Sequence, residues 1–320
     1  MKTKVGIIGA AGYTAGELIR LLLNHEGVTL ELLQSESQAG LPITKVHQDL
    51  IGEADLIFEK DVRSCDVYFL CKGHGESVKI LSEYPELLNG KVIDLSQDFR
   101  LVGKHDFVYG LPELKREVIR KATHIANPGC FATAIQLGLL PVFASKLVRS
   151  DVHASGITGS TGAGQSFSLT SHYSWRNSNA SVYKALSHQH LQEISETVLG
   201  LDGAFSGTVN FIPYRGAFTR GIITTSYFDT DATEDELIET YQSYYQDALF
   251  THVTETNPDV KGVVNTNKAL VNPQVINGKA VVISVIDNLL KGASGQAVQN
   301  MNLILGFPEN QGLQLKSIAF

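Results

Sequence analysis

Short apolar runs alternate with longer stretches in which apolar residues recur every three to four positions, and this rhythm sets the first expectation. Lys4 to Ile8 reads as a short buried strand, and Thr14 to Leu23 as a helix with Leu18, Leu21 and Leu22 at helical spacing. Thr29 to Leu33, Val67 to Leu70 and Lys91 to Asp94 repeat the strand pattern, with a helix over Gly75 to Tyr84. Strands separated by helices predict a parallel sheet with crossovers, so the first ~125 residues read as a doubly wound α/β unit.

Beyond about residue 150 the texture changes. Strand-like runs at 209–213, 221–228 and 279–287 follow with fewer intervening helices, and only Glu234 to Leu249 is clearly helical. This predicts a second, α+β unit with a mixed or antiparallel sheet. The closing KGASGQAVQNMNLILGF is helical again, consistent with a return to the first unit. A length of 320 residues suits two domains.

Composition narrows the function. A net charge of −7 argues against nucleic acid, which needs a basic stripe. No apolar run reaches the ~18 residues of a membrane span. The N-terminus runs straight into a strand pattern without a signal-peptide cleavage region, so a cytoplasmic location is the expectation. Three cysteines without CxxC spacing predict neither a disulfide framework nor a zinc site, and Cys65 and Cys71, on apolar strands, read as small buried hydrophobes.

In VGIIGAAGYTAGEL, Gly9 and Gly12 hold the second and third positions of a dinucleotide-binding turn, while Ile7 stands at the first. One glycine lets the backbone approach a pyrophosphate, another permits helix packing, and the helix start at Tyr13 and Thr14 offers free amides. The second strand ends in QSES, where Ser35 and Ser37 offer donors to a 2′-phosphate and Glu36 a carboxylate for a ribose 2′-hydroxyl.

In HIANPGCFATAIQLGLLPVF, Asn127 is expected to cap a helix with Pro128 in its first position and a stop at Pro141. Cys130 then falls in the first turn, where the dipole stabilises a thiolate and free amides hold an oxyanion. A thiolate beside a nicotinamide suggests reduction of an activated acyl group through a thioester, with a histidine as proton shuttle. His25, His47 and His105 read as solvated loop residues, and His74 as lining or capping. His188 and His190 open a helix and, two apart, point to different faces. A metal pair is the rival reading, but no further ligand cluster accompanies it, so no metal is expected.

GAAGYTAGEL, DLSQDFR (94–100), YGLPEL (109–114), NPGCFAT (127–133), HQHLQEI (188–194) and DNLLKGASGQAVQNMN (287–302) together resemble N-acetyl-γ-glutamyl-phosphate reductases, within the aspartate-semialdehyde dehydrogenase-like superfamily. The resemblance implies NADPH-dependent reductive dephosphorylation of N-acetyl-γ-glutamyl phosphate to the semialdehyde, through a cysteine thioester, in arginine biosynthesis. It implies a Rossmann-like domain over 1–127 and 293–320, and an α+β catalytic and oligomerisation domain over 128–292, in a homo-oligomer (dimer or tetramer). Cys130 matches the nucleophile and His188 the general acid/base, with His190 beside it.

For the anionic substrate, Arg100 and Arg220 are candidates, with surface salt bridges as the alternative. Asn127 and Ser160 join them, and Gly162, Asn288 and Gly295 are expected near the cofactor, or else in domain packing. Two departures from the family pattern stand out. Ala15 replaces a common glycine, and Glu36 replaces a common arginine, which leaves NAD open beside NADP. The segment 168–187, with Trp175 and Arg176, is unlike that of typical members and raises another N-acyl group, such as succinyl, as an alternative. An aspartate-semialdehyde dehydrogenase-type enzyme is the other alternative.

Overall fold

The computed structural model describes residues 1–319 and divides into two compact units: Met1–Pro128 with Ala293–Gln314, and Gly129–Gly292 with the tail from Leu315. The first unit runs β1 (Thr3–Ile8), α1 (Tyr13–Leu23), β2 (Val28–Gln34), β3 (Val67–Leu70), α2 (Glu76–Glu83), β4 (Lys91–Asp94), β5 (Val108–Tyr109), α3 (Pro112–Ile119) and β6 (His124–Ala126). All its strands pair in parallel, in the order β2-β1-β3-β4-β6-β5. The order reverses at β1, which creates a switch point at the carboxyl ends of β1 and β3. β3 is buried along its whole length, as expected of a strand covered on both faces. A last helix, Gly295–Leu305, is buried from Gly295 to Ile304 and packs against α1 and α3.

The second unit contains α4 (Cys130–Ala144), β7 (Val152–Thr158), α5 (Tyr173–Arg176), β8 (Ser181–Val182), α6 (His190–Leu201), β9 (Val209–Arg215), β10 (Ile222–Asp229), α7 (Glu234–Tyr245), β11 (Thr251–Val253), β12 (Ala269–Ile276) and β13 (Lys279–Ile286). Its strands form one sheet, β11-β12-β13-β10-β7-β9-β8, parallel at β11–β12 and β7–β9 and antiparallel elsewhere. The expected pairing of a parallel sheet with a mixed one is therefore what the chain forms. β10 alternates buried and more exposed positions, so one face carries the core and the other does not. α4 is buried from Phe131 to Phe143, lies on β10 and β13, and is flanked by α6 and α7. An apolar circumference of this kind requires cover on all sides.

Three local expectations are overturned. The helix after Asn127 does not stop at Pro141 but continues to Ala144. Proline withholds the amide that Leu137 would receive, and the Tyr245 hydroxyl donates to that carbonyl instead. Asn127 is not the cap, because its amide is spent within the first unit. It donates to the Ala293 carbonyl at 3.1 Å and accepts from Asn300 at 3.1 Å. Gly129, with extended φ/ψ of −70° and 150°, takes the cap position, and Cys130 becomes the first helical residue. His25 and His47 are buried rather than solvated, bonding Asn302 and the Ala10 carbonyl, and His105 is half-buried against Phe99 and Phe107.

Candidate active site

At the β1–α1 turn of the first unit, Gly9 adopts φ +83°, and a β-carbon there would stand 2.9 Å from the Cys71 carbonyl oxygen. Only glycine fits both demands. The amides of Gly9 and Ala10 donate to the Gln34 carbonyl and close the turn on β2. α1 then starts at Tyr13 after Gly12, with no side chain capping it and no acid in its first turn. Its positive pole is left to a ligand phosphate, so these residues fit a dinucleotide. Tyr13 is exposed, while the Thr14 carbonyl accepts from Ser294 Oγ beside the buried Gly295. Ser35 is buried at the end of β2 with its amide on the Glu59 carbonyl, and Glu36 is exposed, its carboxylate 3.6 Å from Lys72 Nζ.

Arg100 is buried in the same unit. Its Nε donates to the Asn127 carbonyl and its Nη2 to the Leu95 carbonyl, both at 2.9 Å. His74 accepts the Gln97 amide, while the Asp98 carboxylate takes the amides of Gly75, Ser77 and Val78 and so caps α2.

The second unit gathers the chemistry. Cys130 is half-buried at the start of α4, where anions are favoured. The Gly129 amide donates to Glu193 Oε2 at 2.9 Å, which ties this turn to α6. The His190 ring lies over Gly129. His188 precedes α6, so helical spacing does not separate the two imidazoles, contrary to expectation: their ring centres are 4.5 Å apart. The His190 amide donates to His188 Nδ1 at 3.2 Å, which leaves the proton of the neutral ring on Nε2. Phe131, Phe211 and Tyr183 meet the His188 ring edge-on, and burial, helped by Lys184, pushes its pKa down to about 4.

Ser160 and Gly162 form a short turn after β7. Asn288 braces it, donating to Thr161 Oγ1 at 3.0 Å and accepting the Gly221 amide at 2.7 Å. Arg220 donates from Nε to Oδ2 of the fully buried Asp287 at 3.1 Å and forms an ion pair with it. That carboxylate also collects the amides of Asn265, Leu289 and Leu290, so the pair anchors this loop.

Glu193, which holds the Gly129 amide, Tyr183, which meets His188, and Arg215, which meets Tyr183, were not singled out from the sequence. Glu193 was findable, three positions after His190 on one helix face. Tyr183 and Arg215 carry no motif and meet only through strand pairing of β8 with β9. All three cysteines are free, and burial pushes Cys65 up to about 11 and Cys71 up to about 12. Among the described residues no His/Cys/Asp/Glu group is arranged to hold a metal, and no helix is long and apolar enough to cross a membrane.

Comparison with known proteins agrees with this division of labour. Residues 4–122 match the semialdehyde dehydrogenase NAD binding domain, so the first unit is a nicotinamide-nucleotide domain, and residues 130–288 match the semialdehyde dehydrogenase dimerisation domain. N-acetyl-gamma-glutamyl-phosphate reductase of Parabacteroides distasonis is 54% identical over 99% of both chains, and that of Phocaeicola vulgatus 51% over 99% of both. Among solved structures, aspartate semialdehyde dehydrogenase II of Vibrio cholerae superimposes with a TM-score of 0.75 at 16% identity, covering 96% of this chain and 99% of the other. The Candida albicans aspartate semialdehyde dehydrogenase with NADP gives 0.72 at 13%, covering 97% and 99%, and both share the fold. The chain belongs to the N-acetyl-γ-glutamyl-phosphate reductase family of semialdehyde dehydrogenases.

Proposed function

We propose that the chain reduces N-acetyl-γ-glutamyl phosphate to the γ-semialdehyde with NADPH and releases inorganic phosphate, in the cytoplasmic biosynthesis of arginine. The observation that carries this reading is Cys130 as the first residue of α4. There the thiolate is favoured by the helix dipole, and the amides of the first turn point toward the oxygen of an acyl group under attack.

Cys130 Sγ attacks the γ-carbonyl carbon, the tetrahedral oxyanion rests on those amides, and the C–O bond to phosphate breaks to leave a thioester. Gly9, Gly12, Tyr13, Thr14, Ser35, Glu36 and Gly295 hold the dinucleotide. Gly162 and Asn288 shape the loop on the nicotinamide side. When bound, the nicotinamide supplies the hydride that the thioester carbon accepts. His188, neutral and protonated on Nε2, donates a hydrogen bond to the thiohemiacetal oxyanion; the carbonyl then re-forms as the C–S bond breaks, releasing aldehyde and returning the Cys130 thiolate. His190 and Glu193 hold Gly129 and so aim the sulfur. Arg100 and Asn127 in the first unit, and Ser160 and Arg220 in the second, are the candidates for holding the anionic substrate.

The sheet face opposite α4 carries the partly exposed Ile212, Tyr214 and Tyr227. Together with the dimerisation-domain match, this supports a homodimer formed through that face. Sedimentation of wild type against Ile212→Glu tests it, and a monomeric wild type rejects it.

Purified protein with acyl phosphate and NADPH should lose absorbance at the nicotinamide band with stoichiometric phosphate release. Cys130→Ser should bind NADPH and turn over nothing. Unimpaired turnover by that variant removes the nucleophile assignment. Running N-acetyl and N-succinyl substrates side by side reads the acyl group, and phosphate-dependent oxidation of aspartate semialdehyde reads the remaining alternative.

A further inference from the structure

Three other partly buried arginines have acidic partners, Arg20 with Glu17, Arg116 with Glu309 and Arg220 with Asp287, and the buried Arg100, held by backbone carbonyls, lies within electrostatic reach of Asp94. Arg176 and Arg215 break this habit. They lie together, and among the described residues neither makes an ion pair with a carboxylate. Arg176 is 8% exposed. It donates to the carbonyls of Thr170 and Arg215, and its guanidinium stacks 4.7 Å from the centre of the Trp175 ring. Arg215 ends β9, with its guanidinium 4.8 Å from the centre of the Tyr183 ring and a buried Nε without a hydrogen-bond partner.

Tyr183 joins this pair to the reacting sulfur. Its ring meets His188 edge-on at 5.6 Å, and burial first, with a thiolate at Cys130 second, pushes the phenol's pKa up. Two adjacent guanidiniums withdrawn from water cost stability through desolvation and repulsion, and both costs push the Arg176 pKa down. An anion seated on them reverses both terms.

We propose that Arg215, backed by Arg176 and positioned by Tyr183, binds a carboxylate of the acyl-glutamyl substrate. The planar guanidinium fork matches a carboxylate in two parallel bonds. This rests on the reading of the site as an acyl-γ-glutamyl-phosphate reductase. The carboxylate has two sources, the α-carboxylate of the glutamyl part or the terminal carboxylate of a dicarboxylic N-acyl group.

The test runs the reaction in reverse, so that semialdehyde, phosphate and NADP⁺ each have their own KM. Arg215→Gln should raise the semialdehyde KM about 10- to 100-fold, the size expected for a lost charged hydrogen bond, with the other two KM values unchanged. An equal rise for N-acetyl and N-succinyl semialdehydes assigns the α-carboxylate, and a rise confined to the N-succinyl compound assigns the acyl group. Unchanged KM for both, or a rise confined to phosphate or NADP⁺, overturns the proposal.

Arg215→Lys, which keeps the charge and should keep the fold, provides a second reading. Titration calorimetry with N-acetylglutamate and N-succinylglutamate needs no turnover, so it remains informative if the reductase reading fails. Binding to wild type that weakens at least tenfold in Arg215→Lys supports the site. Equal binding by the two proteins, or no binding to wild type, rejects it.

Discussion

The imidazole of His190 covers Gly129 so closely that a β-carbon on Gly129 would stand 2.3 Å from its Nε2. The residue before the nucleophile is thus pressed between a ring above and the Glu193 carboxylate that holds its amide. Gly129→Ala forces either the ring or the turn to move, and the next atom along the chain is the Cys130 nitrogen. Misplacement by about 1 Å costs on the order of 10²-fold in rate, so kcat/KM for the acyl phosphate should fall by that order while NADPH binding persists. Steady-state kinetics with a fluorescence titration of NADPH checks both halves. A variant within about threefold of wild type contradicts the geometry.

His188 makes a second, separable prediction. A neutral imidazole with Nδ1 engaged by a backbone amide is a hydrogen-bond donor through Nε2, so His188→Asn should lower kcat by ~10²–10⁴-fold. Because its pKa is about 4, the wild-type pH profile should show no break near 6.5 from this residue. A large loss in His190→Asn beside a small one in His188→Asn would move the hydrogen-bond-donor role to His190.

The same burial makes the fold sensitive to acid. The His188 pKa is depressed below its unfolded value of 6.5, and His25 and His252 are shifted in the same direction, each first by burial. Between pH 6.5 and about 4 the unfolded chain binds more protons than the folded one at His188, so stability rises with pH through that window. The contribution is complete above pH 6.5 and is lost as pH falls toward 4. For His188 it amounts to on the order of 3 kcal/mol. Between pH 7 and pH 5 about 2 kcal/mol of this should be lost, read from denaturant unfolding, and His188→Phe should shrink the difference.

Local chemistry was legible wherever it was written in neighbouring residues. Gly9, Gly12 and Cys130 announced themselves because a turn, a cap position and a helix start are short-range demands. The strand Val67–Leu70 was readable because a strand covered on both faces is an uninterrupted apolar run, and Lys91–Asp94 because Val92 and Ile93 mark its buried centre. What stayed hidden depended on pairing between distant segments. Arg215 reaches Tyr183 only because β9 pairs with the two-residue β8. His25 looks like a loop residue until Asn302 of the last helix supplies its partner. Asn127 and Pro141 misled for the same reason: each obeys its local rule except where a distant residue supplies a better bond.

Tyr245 and Pro141 turn that last point into a measurement. The Tyr245 hydroxyl donates to the Leu137 carbonyl, the acceptor that Pro141 leaves without an amide. Tyr245→Phe should destabilise the protein by about 1–3 kcal/mol, the cost of an unsatisfied buried acceptor. In a Pro141→Ala background the amide returns, and the same change should cost less. A double-mutant cycle from urea denaturation reads the coupling. Additive losses would show that the hydroxyl is not compensating for the proline.

On the proposed function, the Glu36–Lys72 pair makes a prediction about the adenosine end of the cofactor. A carboxylate after β2 repels a 2′-phosphate, yet this one lies 3.6 Å from Lys72 Nζ, so its charge is partly met. Lys72 is held at the end of β3 by its neighbour, since the Cys71 carbonyl abuts Gly9 and the Lys72 methylenes follow. Both groups lie at the surface, where a single charge contact is worth at most about 1 kcal/mol, so each effect should be about fivefold rather than a hundredfold. Glu36→Gln should raise kcat/KM for NADPH over NADH by releasing Lys72 to the phosphate. Lys72→Met should lower that ratio by leaving the carboxylate unopposed. Competition assays at two salt concentrations check this, since a screened ionic effect must shrink with salt. If Lys72→Met instead favours NADPH, the ammonium works against the phosphate, and any preference for NADPH has to come from Ser35 and Ser37.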